Sequence, residues 1–250
     1  MKKVSFSVTF KFLTFGLATA VMGLMSSQSA TAATFDLTFT KLSGLTGGTP
    51  AGTAVYRADL SSIGFDINSI SIADSNSGLG GSSGKFSGFD LDGIKLSNTL
   101  ISSAADVNSL SGLSVFNFSP AGTIFTPGTQ RTPADPALFG TTGGSIDNSV
   151  ATLQNFDGNS TTDSSAFGFV SLGDGGKAGF NLTSSVFTTS PIYLYIGEVG
   201  DNGEVANGQI SVSDKPISVP EPSSSIASFA ALSLMGIYFT VRGNKKTEAA

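Results

Sequence analysis

The feature that most restricts the fold is an alternation of apolar and polar residues that never lasts long. Phe35-Asp36-Leu37-Thr38-Phe39 keeps a strict period of two, and so does Ile63-Gly64-Phe65-Asp66-Ile67, followed by Ile70-Ser71-Ile72. Related runs occupy Thr53 to Leu60, Phe86 to Leu96, Leu113 to Phe118, Ala166 to Leu172, Ala178 to Leu182, Ile192 to Val199 and Gln209 to Val212. Successive side chains on a strand point to opposite faces, so such a run buries one face and wets the other. Gly, Asn, Asp and Ser separate the runs, and these are the residues that turns favour. No long stretch between residues 34 and 218 repeats its apolar positions at the helical period. About ten short strands with Gly-rich turns predict an all-β chain, an antiparallel β-sandwich or jelly roll.

Two connections read as hairpins. In AFGFVSLGDGGKAGFNL, Gly173-Asp174-Gly175-Gly176 supplies the positive φ of a tight turn; in YIGEVGDNGEVANGQISV the turn falls near Asn202-Gly203. Residues Thr126 to Asn148 hold Pro127, Pro133 and Pro136 with several Gly, and read as a long irregular loop crossing between sheets. Cys and Trp are absent while Phe occurs 20 times, so the core rests on burial of Phe without disulfides.

The ends of the chain differ from its middle. Lys2, Lys3 and Lys11 precede the apolar stretch Phe12 to Met25, whose helical length of roughly 21 Å falls short of a bilayer core. Ala30-Thr31-Ala32 then fits the small-x-small cleavage pattern, so residues 1–33 read as a secretory signal cut after Ala32 or Ala33. Near the other end, Ile226 to Val241 carries no formal charge, and with Ser223 to Ser225 it reaches roughly 28 Å of helix, enough to span. Arg242, Lys245 and Lys246 follow at once and orient such a helix with its C-terminus in the cytoplasm. The expected arrangement is an exported domain at 34–218, a single transmembrane helix and a short tail at 247–250. Pro220 and Pro222 hold the strip before the helix extended and accessible.

Val219-Pro220-Glu221-Pro222-Ser223, the apolar helix and the basic residues, together covering 219–246, resemble the PEP-CTERM sorting signal of bacterial envelope proteins. The tail here is richer in Lys than in Arg, a small departure from that pattern. The resemblance implies an exosortase-type membrane enzyme that processes the chain near Pro220-Glu221-Pro222, after export by the Sec machinery and cleavage by signal peptidase. Three internal segments also look like parts of PEP-CTERM proteins, many of them cyanobacterial: Tyr56 to Leu60, Gly88 to Leu96 and Tyr195 to Asn202. That likeness carries no assigned activity and implies only a family and a compartment; the expected setting is a cell surface or extracellular matrix, with exopolysaccharide or biofilm.

Composition narrows the chemistry. Residues 34–218 carry seven basic and sixteen acidic side chains, a net charge of −9, which argues against nucleic acid and anionic lipid. Without His or Cys there is no imidazole base, no Ser-His-Asp triad, no thiolate and no imidazole metal ligand. No catalytic residue and no organic cofactor are expected. Two acidic clusters are weak candidates for calcium. Asp90 and Asp92 stand two apart before Gly93, echoing part of a calcium loop that lacks its later Glu; the plainer reading is a solvated strand face ending in an Asp-Gly turn. Glu198, Asp201 and Glu204 surround the second turn, where they either converge on a cation or protect an exposed edge by charge. Paired carboxylates could also serve glycoside hydrolysis, but nothing singles out one pair among sixteen acids. Gly78 to Gly84 is glycine-rich without the Lys-Ser/Thr of a phosphate cradle and reads as a loop between strands. The expected product is a non-enzymatic surface protein; the alternative is a jelly-roll module that binds calcium or carbohydrate.

Overall fold

The computed structural model describes residues 32–49, 51–78, 82–159, 167–202 and 210–218. Ala30, Glu204, Val219 to Pro222, both terminal apolar segments, Arg242, Lys245 and Lys246 lie outside the described residues. Among the described residues no helix is long and apolar enough to cross a membrane.

The strands are β1 (Thr34–Asp36), β2 (Thr40–Lys41), β3 (Thr53–Asp59), β4 (Ile67–Ala73), β5 (Asp90–Ser97), β6 (Thr123–Thr126), β7 (Thr141–Thr142), β8 (Ser145–Ile146), β9 (Val170–Ser171), β10 (Lys177–Val186), β11 (Tyr193–Val199) and β12 (Ile210–Ser213). A single turn of helix, α1 (Asn148–Ala151), starts at Asp147, whose carboxylate accepts the Ser149 N–H. One five-stranded sheet runs β1-β12-β4-β10-β6 and the other β2-β3-β11-β5-β9, with all their pairings antiparallel. The two pack face to face as a β-sandwich. Ile70, Ile72, Phe180, Ile210 and Val212 of the first sheet meet Ala54, Tyr56, Leu91, Ile94, Leu96, Leu194 and Ile196 of the second in one buried cluster.

Both predicted hairpins are corrected. β9 belongs to the second sheet and β10 to the first, so Gly173 to Gly176 carries the chain from one sheet to the other. The same holds for the connection from β11 to β12. The physical reason is close packing at the first corner. A Cβ on Gly88 would lie 2.3 Å from the Gly173 backbone, and one on Gly128 would lie 2.5 Å from it. Three glycine backbones therefore stack where a side chain would not fit, and Gly173 adds a φ of 77°. The long loop after β6 does cross between sheets, as its composition predicts, and carries the small β7-β8 hairpin on the way. Leu113 to Phe118 forms no strand. Phe116 makes one isolated bridge to Leu182, and the rings of Phe116 and Phe118 pack edge-on against Phe180.

The second sheet has a covered outer face. Leu42, Val55, Ala104, Val107, Leu110, Phe156 and Tyr195 form a separate buried cluster there. The Tyr195 hydroxyl donates to Thr99 O at 2.8 Å and accepts from Ile101 N–H at 3.0 Å, pinning the covering loop to β11. Arg57 adds a bond to Ile101 O at 2.8 Å. Tyr56 to Leu60, Gly88 to Leu96 and Tyr195 to Asn202 contribute to β3, β5 and β11, the adjacent central strands of this sheet.

Candidate functional site

Asp90 and Asp92 are not on a solvated face. Both are buried, and β5 runs on through Gly93 to Ser97 without turning. Gly93 serves a close approach instead, since a Cβ there would lie 2.4 Å from Asn155 O. The two carboxyls have different partners. Asp90 accepts a hydrogen bond from Ser171 Oγ on β9. Asp92 Oδ2 accepts from Thr53 Oγ1 at 2.5 Å, and its Oδ1 accepts from Asp157 N–H at 3.1 Å. Gly158 and Gly197 make room for it: a Cβ would come within 2.9 Å of Asp92 Cγ at the former and 3.1 Å of its Cβ at the latter. Burial pushes the Asp92 carboxyl up to about 8; the Thr53 hydrogen bond opposes the rise and the nearby Asp157 charge adds to it. Asp92 is therefore largely protonated at neutral pH, a poor state for holding a cation.

The second acidic cluster is partly on view. Glu198 is fully buried and its Oε2 accepts the Asp201 N–H at 3.0 Å. Asp201 has a φ of 46° and turns its carboxylate to the Lys41 ammonium. No group of three or more acidic side chains among the described residues is placed to hold a metal ion.

Two features escape the sequence. The first is Asp74 at the end of β4. Its Oδ1 accepts from Phe89 N–H at 3.0 Å, and its Oδ2 from Asn76 N–H at 2.7 Å and Gly175 N–H at 2.8 Å. One buried carboxylate thus ties three connections together at the glycine corner. The second is a cavity of about 480 Å³ whose lining includes Lys85, Phe86, Asp90, Asn159, Phe167 and Phe169. With Phe139, the three Phe rings form a cluster with centroids 4.7–6.4 Å apart. The Lys85 ammonium stands 5.0 Å from the Phe86 centroid and 5.6 Å from that of Phe139. Aromatic faces beside an ammonium, a carboxyl and an amide suit a ligand with both apolar and hydroxyl-bearing surfaces, such as a sugar ring. The only sequence signal was the density of Phe near positions 86, 139 and 167–169, which nothing local brings together.

No protein-family model, curated protein or solved structure matches this chain.

Proposed function

We propose that the chain is an exported structural protein of a bacterial envelope or extracellular matrix. A signal peptide directs it to Sec and signal peptidase, and a PEP-CTERM segment directs it to an exosortase. The membrane helix at 226–241 tethers it for a time, with residues 34–218 outside, until processing near Pro220-Glu221-Pro222 releases or transfers it to the surface, where exopolysaccharide surrounds it. The observation that carries this reading is how the β-sandwich closes between the two signals. Its first strand pairs with its last, β1 with β12, and Ala33 and Asp214 are hydrogen-bonded to each other. Among the described residues, both five-stranded sheets are formed by residues 34–213. In a host with an exosortase, Pro220→Ala with Glu221→Ala should leave export intact while full-length protein accumulates in the cytoplasmic membrane. Blotting of membrane and released fractions reads the outcome; release as efficient as that of the unaltered chain sinks the sorting proposal.

A second reading, a jelly-roll module that binds carbohydrate, is favoured by the Phe-lined cavity. A glycan array with the released protein tests it, and Phe167→Ala should abolish any signal found.

A further inference from the structure

The α-ammonium created by signal cleavage needs a place in the fold, and the structure offers one. Resting on the export reading above, we propose that Asp214 is the receptor for the mature N-terminus, formed at Ala33 by hydrolysis of the Ala32–Ala33 bond. Hydrolysis consumes one water. Ala32 leaves with the new carboxylate, and Ala33 keeps its nitrogen as an amine that takes up a proton near neutral pH.

The geometry is already in place. Ala33 N lies 2.8 Å from Asp214 Oδ1, and Asp214 N–H donates to Ala33 O at 3.2 Å. Residue 33 is thus gripped at both its backbone groups by a single residue. The ladder continues from there, Thr34 opposite Ser213, Phe35 opposite Val212 and Asp36 opposite Ser211. Asp214 does not swing freely, because its own carbonyl accepts from Asn68 Nδ2 at 2.8 Å. Cleavage turns a neutral N–H donor at this spot into a cation facing a carboxylate, a shorter and stronger class of bond. It also distinguishes the two candidate cuts. Removal of Ala33 would delete both of its bonds to Asp214 and leave β1 as a three-residue edge strand with no terminal grip. A cut after Ala32 keeps every contact and adds charge to one.

The pair is at the surface, so its effect is modest and local. The test compares Asp214→Asn, which keeps a side-chain acceptor, in two forms of the full-length gene product expressed in an exporting host. One form is processed normally. The other carries Ala30→Leu with Ala32→Leu to block cleavage. Mass spectrometry should place the mature terminus at Ala33. Hydrogen exchange of the peptide covering residues 34–37 should then quicken roughly threefold to fivefold with Asp214→Asn in the processed form, the scale of an exposed ion pair. It should change by less than about twofold in the uncleaved form, where a neutral N–H keeps a side-chain acceptor after Asp214→Asn and no ion pair is lost. Equal effects in the two forms, or a mature terminus at Thr34, overturn the receptor while leaving export standing. Recovery of Lys2 and Lys3 in the released chain of the form with its native cleavage site overturns signal cleavage, and the receptor with it.

Discussion

The two sheets are made of similar residues and solve different problems. Along β12, and along β4 from Ile70 onward, buried positions alternate with half-exposed ones, in step with Ile-Ser-Val-Ser and Ile-Ser-Ile. Along β11 nearly every residue is buried, and β3 and β5 are buried over most of their length. The first sheet has one dry face. The second has two, because the loops around residues 101–110 and Phe156 cover its outer side. Polar side chains on the second sheet, Thr53, Asp90, Asp92, Ser97 and Glu198, are consequently trapped in the interior. A carboxyl in that setting is held by hydrogen bonds or by its proton, whereas Ser71, Ser211 and Ser213 of the first sheet are half-exposed, and Ser69, which is buried, donates to Lys215 O.

The largest test of this contrast is pH. Asp92 has a folded pKa of about 8 against an ordinary 3.8. Between those values the folded chain holds a proton that the unfolded chain has released. Stability from this group is therefore fully present below about pH 4 and lost as pH rises to about 8, on the order of 5 kcal/mol over the whole window. Asp92→Asn should flatten the fall. Melting curves of both proteins from pH 5 to 8 check it, and parallel profiles would mean that the outer face is wetter than described.

Truncation gives the next largest effect. Phe156 is fully buried over the second sheet, so Phe156→Ala should cost about 3–5 kcal/mol. The corresponding residue over the first sheet is Ile217, half-buried, whose Cδ1 lies where a Cβ on Gly179 would intrude. Ile217→Ala should cost only about 1 kcal/mol. Denaturant titration measures both, and similar costs would erase the distinction between the faces. The smallest expected effect is that of calcium. With Asp92 protonated, Asp90 bonded to Ser171 and Asp201 paired with Lys41, millimolar calcium should leave the melting temperature unchanged. A hundredfold excess over a real dissociation constant would add about 2.7 kcal/mol, which thermal shift detects readily.

The strands themselves were legible, because TAVYRAD, INSISIA and YLYIGEV combine β-branched or aromatic residues with short length. What joins them was not. A glycine-rich turn looks the same whether it folds a strand back on its neighbour or lifts it to the opposite sheet. The difference lies in Gly88, Gly128 and Asp74, distant in sequence and gathered at one corner. Asp90 and Asp92 were legible as residues and misread as environment, since the alternation that predicts a wet face says nothing of a loop laid over it. The Phe cavity left only a density of Phe in the sequence, because Phe86 lies far along the chain from Phe139, Phe167 and Phe169 and nothing local brings them together.

The C-terminal strand β12 lies between β1 and β4, not at the border of its sheet. Beyond it, Ser69 Oγ donates to Lys215 O at 2.6 Å, and Asn181 both donates to Ile217 O at 3.0 Å and accepts from Ile217 N–H at 2.7 Å. On the proposed reading, any mechanical load from a moving membrane or a shearing matrix enters the domain through Ser218. A border strand under such a load would unzip one rung at a time. Here the pull meets the Asn181 clasp first, and past it a strand that must shear two ladders together. On that reading the two bonds of the clasp carry the load before either ladder of β12 does.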